Sequence, residues 1–225
     1  MPIHSANLCV IFGGGGHAKV LIECLRADNF ALSLVILDQD SSRWGQKLLD
    51  VPILGDDSLL PQLMADGAGF FVVGVGAVGN NEPRKRLFEH GILKGLRPLT
   101  IKHPTSFCSP WAEIGAGCQL LPGSIVNTGA KLGRNVIVNS GAVVEHDCII
   151  GDHVHVASGA VLASTVRVGD GAHIGCGAAV RQLISIGEAA IVGAGAVVVE
   201  DVPPRATVVG VPARPTGIPR KMSRS

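Results

Sequence analysis

The sequence has no tyrosine, and aromatic residues make up only 4% of its 225 positions. A core without rings must be assembled from many small contacts, so the 47% of apolar residues favour regular, layered packing of Val, Ile, Leu and Ala. Charge is scarce as well: 16% of residues are charged and the formal net charge is +1. That balance argues against a disordered chain and against an electrostatically driven partner, so no nucleic acid is expected. No long hydrophobic run is present. The longest, Phe70 to Val78, already contains Gly74 and Gly76 and is far short of the ~20 residues needed to cross a bilayer, so no membrane partner is expected. The six cysteines (Cys9, Cys24, Cys108, Cys118, Cys148, Cys176) form no C-x-x-C pair. Nothing before Leu8 resembles the basic start of a signal peptide, and reduced thiols in the cytoplasm are the plain expectation.

What is abundant is glycine, with 30 residues, roughly twice the usual frequency of about 7%. Much of it follows a strict period. Stepping by six from Ile114 gives Leu120, Val126, Leu132, Val138, Val144, Ile150, Val156, Leu162, Val168, Ile174, Val180, Ile186, Val192 and Val198, all aliphatic. The next position is often Gly, as at 115, 133, 151, 169, 175, 187 and 193. A gapless period of six fits neither a helix nor a simple strand. It does fit short strands joined by tight turns, three per triangular coil, with coils stacked about 4.8 Å apart into a prism about 24 Å long. This is a hexapeptide parallel β-helix. Because each coil contacts only its neighbours, the ends must be covered. The proline-rich segment Val202 to Pro215 is the expected stop, and residues 216–225 read as a frayed tail.

The first hundred residues follow another pattern. Asn7 to Phe12 reads as a buried strand, Gly13 to Gly16 as a turn, and His17 to Asp28 as a helix with Val20, Leu21, Cys24 and Leu25 on one face. Ser33 to Leu37 is a second strand, Ser58 to Met64 a short helix, Phe70 to Val75 a third strand and Asn81 to His90 a further helix. This alternation implies a Rossmann-like parallel sheet. The chain thus divides into a nucleotide-binding domain over 1–100, a β-helix over 101–215 and the tail, with the boundary near Thr100 to Pro110.

Two motifs carry chemistry. In Gly13-Gly14-Gly15-Gly16-His17, missing side chains let backbone N–H groups approach a phosphate at a helix N-terminus. Asp38 follows at a distance that suits a ribose, which leaves a dinucleotide open by spacing alone. In Glu145-His146-Asp147, the third position of a hexad turns His146 outward. An imidazole beside a carboxylate suits general-base chemistry on an amine. One coil of 18 residues puts Ser164 directly above His146, so its backbone N–H, about 5 Å along the prism, is a candidate oxyanion donor. No Ser or Cys adjoins His146 as a nucleophile, which points to direct attack by the acceptor. His146, His153, His155 and His173 also raise a metal reading, and a non-enzymatic scaffold is a third class.

With both halves placed, the chain resembles the bacterial sugar acyltransferases of the sialic-acid O-acetyltransferase family, particularly members that N-acetylate nucleotide-linked 4-amino-sugars. The matching segments are F-G-G-G-G-H-A at 12–18, L-D at 37–38, G-N-N-E-P-R-K at 79–85, V-N-S-G-A-V-V-E-H-D-C at 138–148, G-D-H-V-H-V at 151–156 and V-G-V-P-A at 209–213. The resemblance implies a left-handed coil and a homotrimer, with acetyl-CoA bound between neighbouring subunits. It also implies a nucleotide-sugar held by the N-terminal domain through Gly15, Gly16, His17, Asp38, Gln39, Gly79 and Asn139. His146 becomes the catalytic base, oriented by Asp147 as first choice and Glu145 as second. His155 is implied to touch the acetyl-CoA carbonyl, with Ser164, Cys176 and Ala194 giving main-chain contacts to the cosubstrate. No metal is implied. The runner-up activity is O-acetylation of a sialic-acid-type sugar. The competing class is a trimeric zinc β-helix protein related to carbonic anhydrase. The sugar and its nucleotide (UDP, GDP or dTDP) stay open.

Overall fold

The structure, a computed structural model, describes residues 7–28 and 31–216. Of the expected tail only Thr216 is among them, and its N–H donates to Thr207 O at 3.0 Å; residues 217–225 lie outside the described residues.

The N-terminal half is a doubly wound sheet. Its strands are β1 (Leu8–Phe12), β2 (Ser33–Leu37), β3 (Lys47–Leu48), β4 (Val51–Gly55), β5 (Ala68–Val73) and β6 (Arg97–Pro98), and its helices α1 (Gly16–Ala27), α2 (Leu60–Ala65) and α3 (Glu82–Leu93). The spatial order is β3-β4-β2-β1-β5-β6, parallel apart from the β3–β4 pair. Every residue of β1 is buried, as its place at the centre of a sheet covered on both faces requires. The expected helix from Ser58 is instead a 3-10 turn, Asp57–Leu59, leading into α2. Strand β4 was not expected, because Pro52 within it reads as a strand breaker.

The second half is a prism of three parallel sheets. All the inward hexad positions are buried, except that Ile114 at the lower end is partly buried. The prism starts earlier than Ile114: strands Ile101–Lys102 and Phe107–Cys108 pair with Gln119–Leu120 and Ile125–Val126. It also ends later than Val202. Val202 bridges to Ile186 and Val208 pairs with Val192, so the last coil has lost two residues at a corner yet still extends the sheet before the antiparallel strand Arg214–Pro215 closes it.

Two backbone requirements explain the glycines. Every sixth residue from Gly117 to Gly195 has φ between +51° and +74°, the left-handed region that each corner needs and that glycine enters without strain. Asn135 and Asp147, at φ +57° and +60°, are residue types that tolerate it. The glycine after each inward residue has a different cause. A Cβ on Gly151 would lie 2.8 Å from Asp170 N of the next coil, so coils stack this closely only if the side chain is absent.

One outward column of the prism positions the functional elements. Ile101 and Ile137 join the apolar cluster under α1 with Ala18, Leu21 and Ile22. Gln119, between them, is buried and polar. Above the N-terminal half the same column continues as His155, His173 and Ile191, paired strand to strand.

Candidate functional site

The glycine turn opens a cleft of about 360 Å³ lined by Gly13 to His17, Asp38, Gln39, Arg43 and Gly74 to Gly76. Five of the expected nucleotide-sugar residues are therefore together: Gly15, Gly16, His17, Asp38 and Gln39. Helix α1 begins at Gly16 behind Gly15, which offers no side-chain cap, so its first N–H groups remain for an anion. Cβ atoms on Gly15 and Gly16 would meet open space, which marks them as the approachable part of the turn. Gly13 is different: at φ +90°, its Cβ would meet Val75 Cγ2 at 2.5 Å.

Asp38 lines the cleft and also holds the turn. Its Oδ2 accepts from Gly14 N at 2.6 Å and from Arg43 Nη1 at 3.3 Å, and its Oδ1 accepts from Asp40 N at 2.9 Å. The carboxylate shapes the turn. Arg43, which also donates to Gly14 O at 2.8 Å, brings a cation to the cleft that the motif did not reveal. His17 faces the prism, its Nε2 2.7 Å from Gln119 Oε1, and burial together with Arg84 pushes its pKa down to about 4.

The Glu145-His146-Asp147 corner lies on another edge. His146 is exposed, and its Nδ1 lies 2.8 Å from Asp147 Oδ2. A carboxylate only accepts, so Nδ1 carries the hydrogen and Nε2 presents a lone pair. Glu145 bonds Asn127 and the backbone rather than the ring: its Oε2 accepts from Asn127 Nδ2 at 3.0 Å and from His146 N at 3.3 Å. The geometry favours Asp147 as the orienting residue. Ser164 continues the stack, for Val144 pairs with Leu162 and Thr165 N donates to His146 O at 3.0 Å.

A third feature is a largely apolar groove of about 670 Å³ along the His155 column, walled by Ala77 to Gly79 and bordered by Asn139, Cys176 and Ala194. Gly79 and Asn139, expected at the sugar, belong to this groove rather than to the glycine cleft. His155 is buried against His173, with ring centroids 5.0 Å apart. Burial, with His173, Arg84 and His17 nearby, pushes its pKa down to about 3. Its Nδ1 lies 3.0 Å from Ala77 O, an acceptor, so Nδ1 carries the only ring hydrogen. Nε2 then accepts from Asn139 Nδ2 at 3.1 Å. A neutral ring in this tautomer has no N–H left for a thioester carbonyl. Asn139 does: its Oδ1 is held by Ser140 N at 2.8 Å, and Nδ2 retains a second N–H at the groove. Among the described residues no three His, Cys, Asp or Glu side chains gather as a metal-ligand set, and His153 is occupied with Asn135 at 2.9 Å.

These two neutral histidines, His155 buried and His17 half-buried, make stability depend on pH. Their folded pKa values lie below the ordinary 6.5, so on acidification the unfolded chain takes up protons first. Stability is full above about 6.5 and falls toward 4, by about 1.4 kcal/mol per pH unit for each group. A thermal midpoint that stays constant from about pH 7 to 4.5 contradicts this.

Comparison with known proteins adds to this geometry. Residues 9–90 match the PglD N-terminal domain, and residues 112–146 and 129–164 match the bacterial transferase hexapeptide repeat. The chain is 38% identical to PerB from Caulobacter crescentus, solved in complex with CoA and GDP-perosamine, with 95% of this chain and 99% of that one covered at a TM-score of 0.87. The acetyltransferase domain of PglB from Neisseria gonorrhoeae, in complex with acetyl coenzyme A, is 35% identical over 93% of this chain and 98% of that one, with a TM-score of 0.84. A GDP-perosamine N-acetyltransferase of Escherichia coli O157:H7 is 35% identical over 131 residues, 54% of either chain, so that match spans about half of each length.

Proposed function

Because the chain belongs to the family of hexapeptide-repeat N-acetyltransferases of nucleotide-linked amino-sugars, we propose that it transfers acetyl from acetyl-CoA to the 4-amino group of such a sugar. The observation that carries this reading is the pairing of an exposed His146–Asp147 dyad with a separate apolar groove and a glycine-turn cleft. These are three parts with the chemistry of a base, a pantetheine channel and a diphosphate site. The amine lone pair attacks the thioester carbon and forms the C–N bond. His146 Nε2 takes the proton, Asp147 stabilises the imidazolium, and the C–S bond breaks to release CoA. Ser164 N–H and Asn139 Nδ2 are the donors available to the thioester carbonyl oxygen and to the oxyanion it becomes, while His155 orients Asn139. Cys176 and Ala194 line the groove, where their main-chain groups are available to the cosubstrate. Arg43 and the α1 N-terminus receive the diphosphate, with Gly15, Gly16 and Gln39 giving it access.

His146 and the groove lie on different edges of one prism, so a trimer in which each cleft joins His146 of one subunit to the groove of its neighbour completes the site. Trp111 and Leu183 support that assembly. They lie two coils to either side of Asp147 on the His146 edge, yet are 80% and 70% exposed, apolar surface of a kind that marks contact sites. A mass of about 70 kDa, three times 23.2 kDa, is expected in sedimentation, and a stable active monomer contradicts the shared cleft. All six cysteines are free, which supports a reducing, cytoplasmic setting.

The acceptor is tested by following thiol release from acetyl-CoA with UDP-, GDP- and dTDP-linked 4-amino-sugars and a sialic-acid-type hydroxyl acceptor. Turnover with amines alone is expected; turnover only with hydroxyls replaces this reading by O-acetylation. Asp147→Asn should lower kcat less than loss of His146 and shift the pH profile, and a profile moved instead by Glu145→Gln transfers the orienting role to Glu145.

A further inference from the structure

Residues 74–81 form one wall shared by two sites. Gly74, Val75 and Gly76 line the glycine-turn cleft, and Ala77, Val78 and Gly79 line the groove. Several contacts hold this segment, among them Gly74 N, which donates to Phe12 O at 2.8 Å. Val75 O accepts from Arg84 Nη1 at 3.3 Å, Ala77 O accepts from His155 Nδ1 at 3.0 Å, and Asn81 Nδ2 donates to Gly171 O and Ala172 O, each at 2.9 Å. Between them Val78 stands 86% exposed.

Arg84 is the unusual member. It is wholly buried, and its partners are neutral: Val73 O at 3.2 Å, Val75 O, Gln119 Oε1 at 3.4 Å and Asn135 O at 3.3 Å. Gln119 Oε1 is also the partner of His17, and Gln119 Nε2 donates to Val73 O at 3.0 Å. A guanidinium buried without a carboxylate is a poor way to gain stability, since an apolar residue of similar volume avoids the desolvation. What the fork does supply is geometry. It ties the end of β5 and the start of the shared wall to the prism coil that carries Asn135.

We infer that Arg84 is a positioning residue which fixes the 74–81 wall before either ligand arrives, so that CoA and the nucleotide-sugar bind a pre-set site independently of each other. The inference rests on the two-ligand reading above. Arg84 stays charged at neutral pH even though burial pushes it down to about 9, and its field helps keep His17 and His155 neutral. Without its contacts the wall must be ordered by whichever ligand binds first, and the second then binds to a site already ordered. Loss of Arg84 should therefore create cooperativity that the native protein lacks.

The test is calorimetric titration of the full chain and of Arg84→Lys and Arg84→Met, with CoA and with GDP, UDP and dTDP in turn. In the native protein a saturating nucleotide should change the Kd for CoA by less than about twofold. In the variants CoA alone should bind roughly tenfold more weakly and recover most of that loss when the nucleotide is present. A purely structural role predicts weak binding that no nucleotide restores, and that result overturns the inference, as do variants within about twofold of the native protein. If neither variant folds as the native protein does, Arg84 is a folding residue and the inference fails. A native protein that binds no CoA, or none of the three nucleotides, overturns the underlying reading as well.

Discussion

Replacing His146 by Ala is expected to lower turnover by roughly 10²–10⁴-fold, the usual contribution of a positioned general base, while CoA binding changes little. To act as a base His146 must keep a lone pair aimed outward, and local geometry provides this. Asp147 occupies a corner at φ +60°, which turns its carboxylate back onto Nδ1 of the preceding residue at 2.8 Å. Nε2 is left free on an exposed edge. The role proposed for His146 is to take a proton rather than to bind CoA, so the substitution should act on kcat rather than on affinity for the cosubstrate. Near-normal turnover by the variant would remove His146 from the mechanism.

A large effect on stability should come from a single methyl group. Gly151→Ala puts a Cβ 2.8 Å from Asp170 N and 3.1 Å from its Cα, and in contact with its Oδ1. The backbone of the next coil cannot yield without disturbing the ladder in which Ile149 and Ile150 pair with Arg167 and Val168. Overpacking of this kind costs ~2–3 kcal/mol, which for a chain of this size lowers the thermal midpoint by roughly 4–12 °C. Gly141→Ala, where a Cβ meets nothing within 4 Å but φ is +65°, separates steric overlap from backbone strain and should cost less, ~1 kcal/mol. Equal losses at the two sites would refute the close-approach explanation.

The prism was legible in the sequence because its inward residues and tight corners repeat every six positions with little to compete against them. Its lower end was not. Stepping back from Ile114 meets Cys108 and Lys102, and Lys102 is exposed because no coil lies beneath it to demand an aliphatic residue. The upper end was hidden by Pro203 and Pro204, which look like a stop but follow a corner shortened by two residues. In the candidate site, the contact between His146 and Asp147 could be read because the two are adjacent in the chain. The roles of Asp38, His155 and Arg84 could not, since each depends on a backbone group brought from elsewhere: Gly14 N for Asp38, Ala77 O for His155, and Asn135 O together with Val73 O for Arg84. A carboxylate after a strand gives no sign of which turn it holds until that turn is in place. An arginine in α3 gives no sign of being buried, because the strand ends that receive it are remote in sequence.

In the proposed trimer the acetyl-transfer site is built by two subunits, one giving His146 and its neighbour the groove. Two defective forms test it, His146→Ala and Ala194→Trp, the second filling the groove. Each alone should be inactive. Coexpressed so that they mix at random in trimers, they should regain up to about one quarter of native thiol release, because one junction in four then joins an intact His146 to an intact groove. If mixing restores nothing while both forms assemble together, each site lies within a single subunit and the shared-cleft account is contradicted.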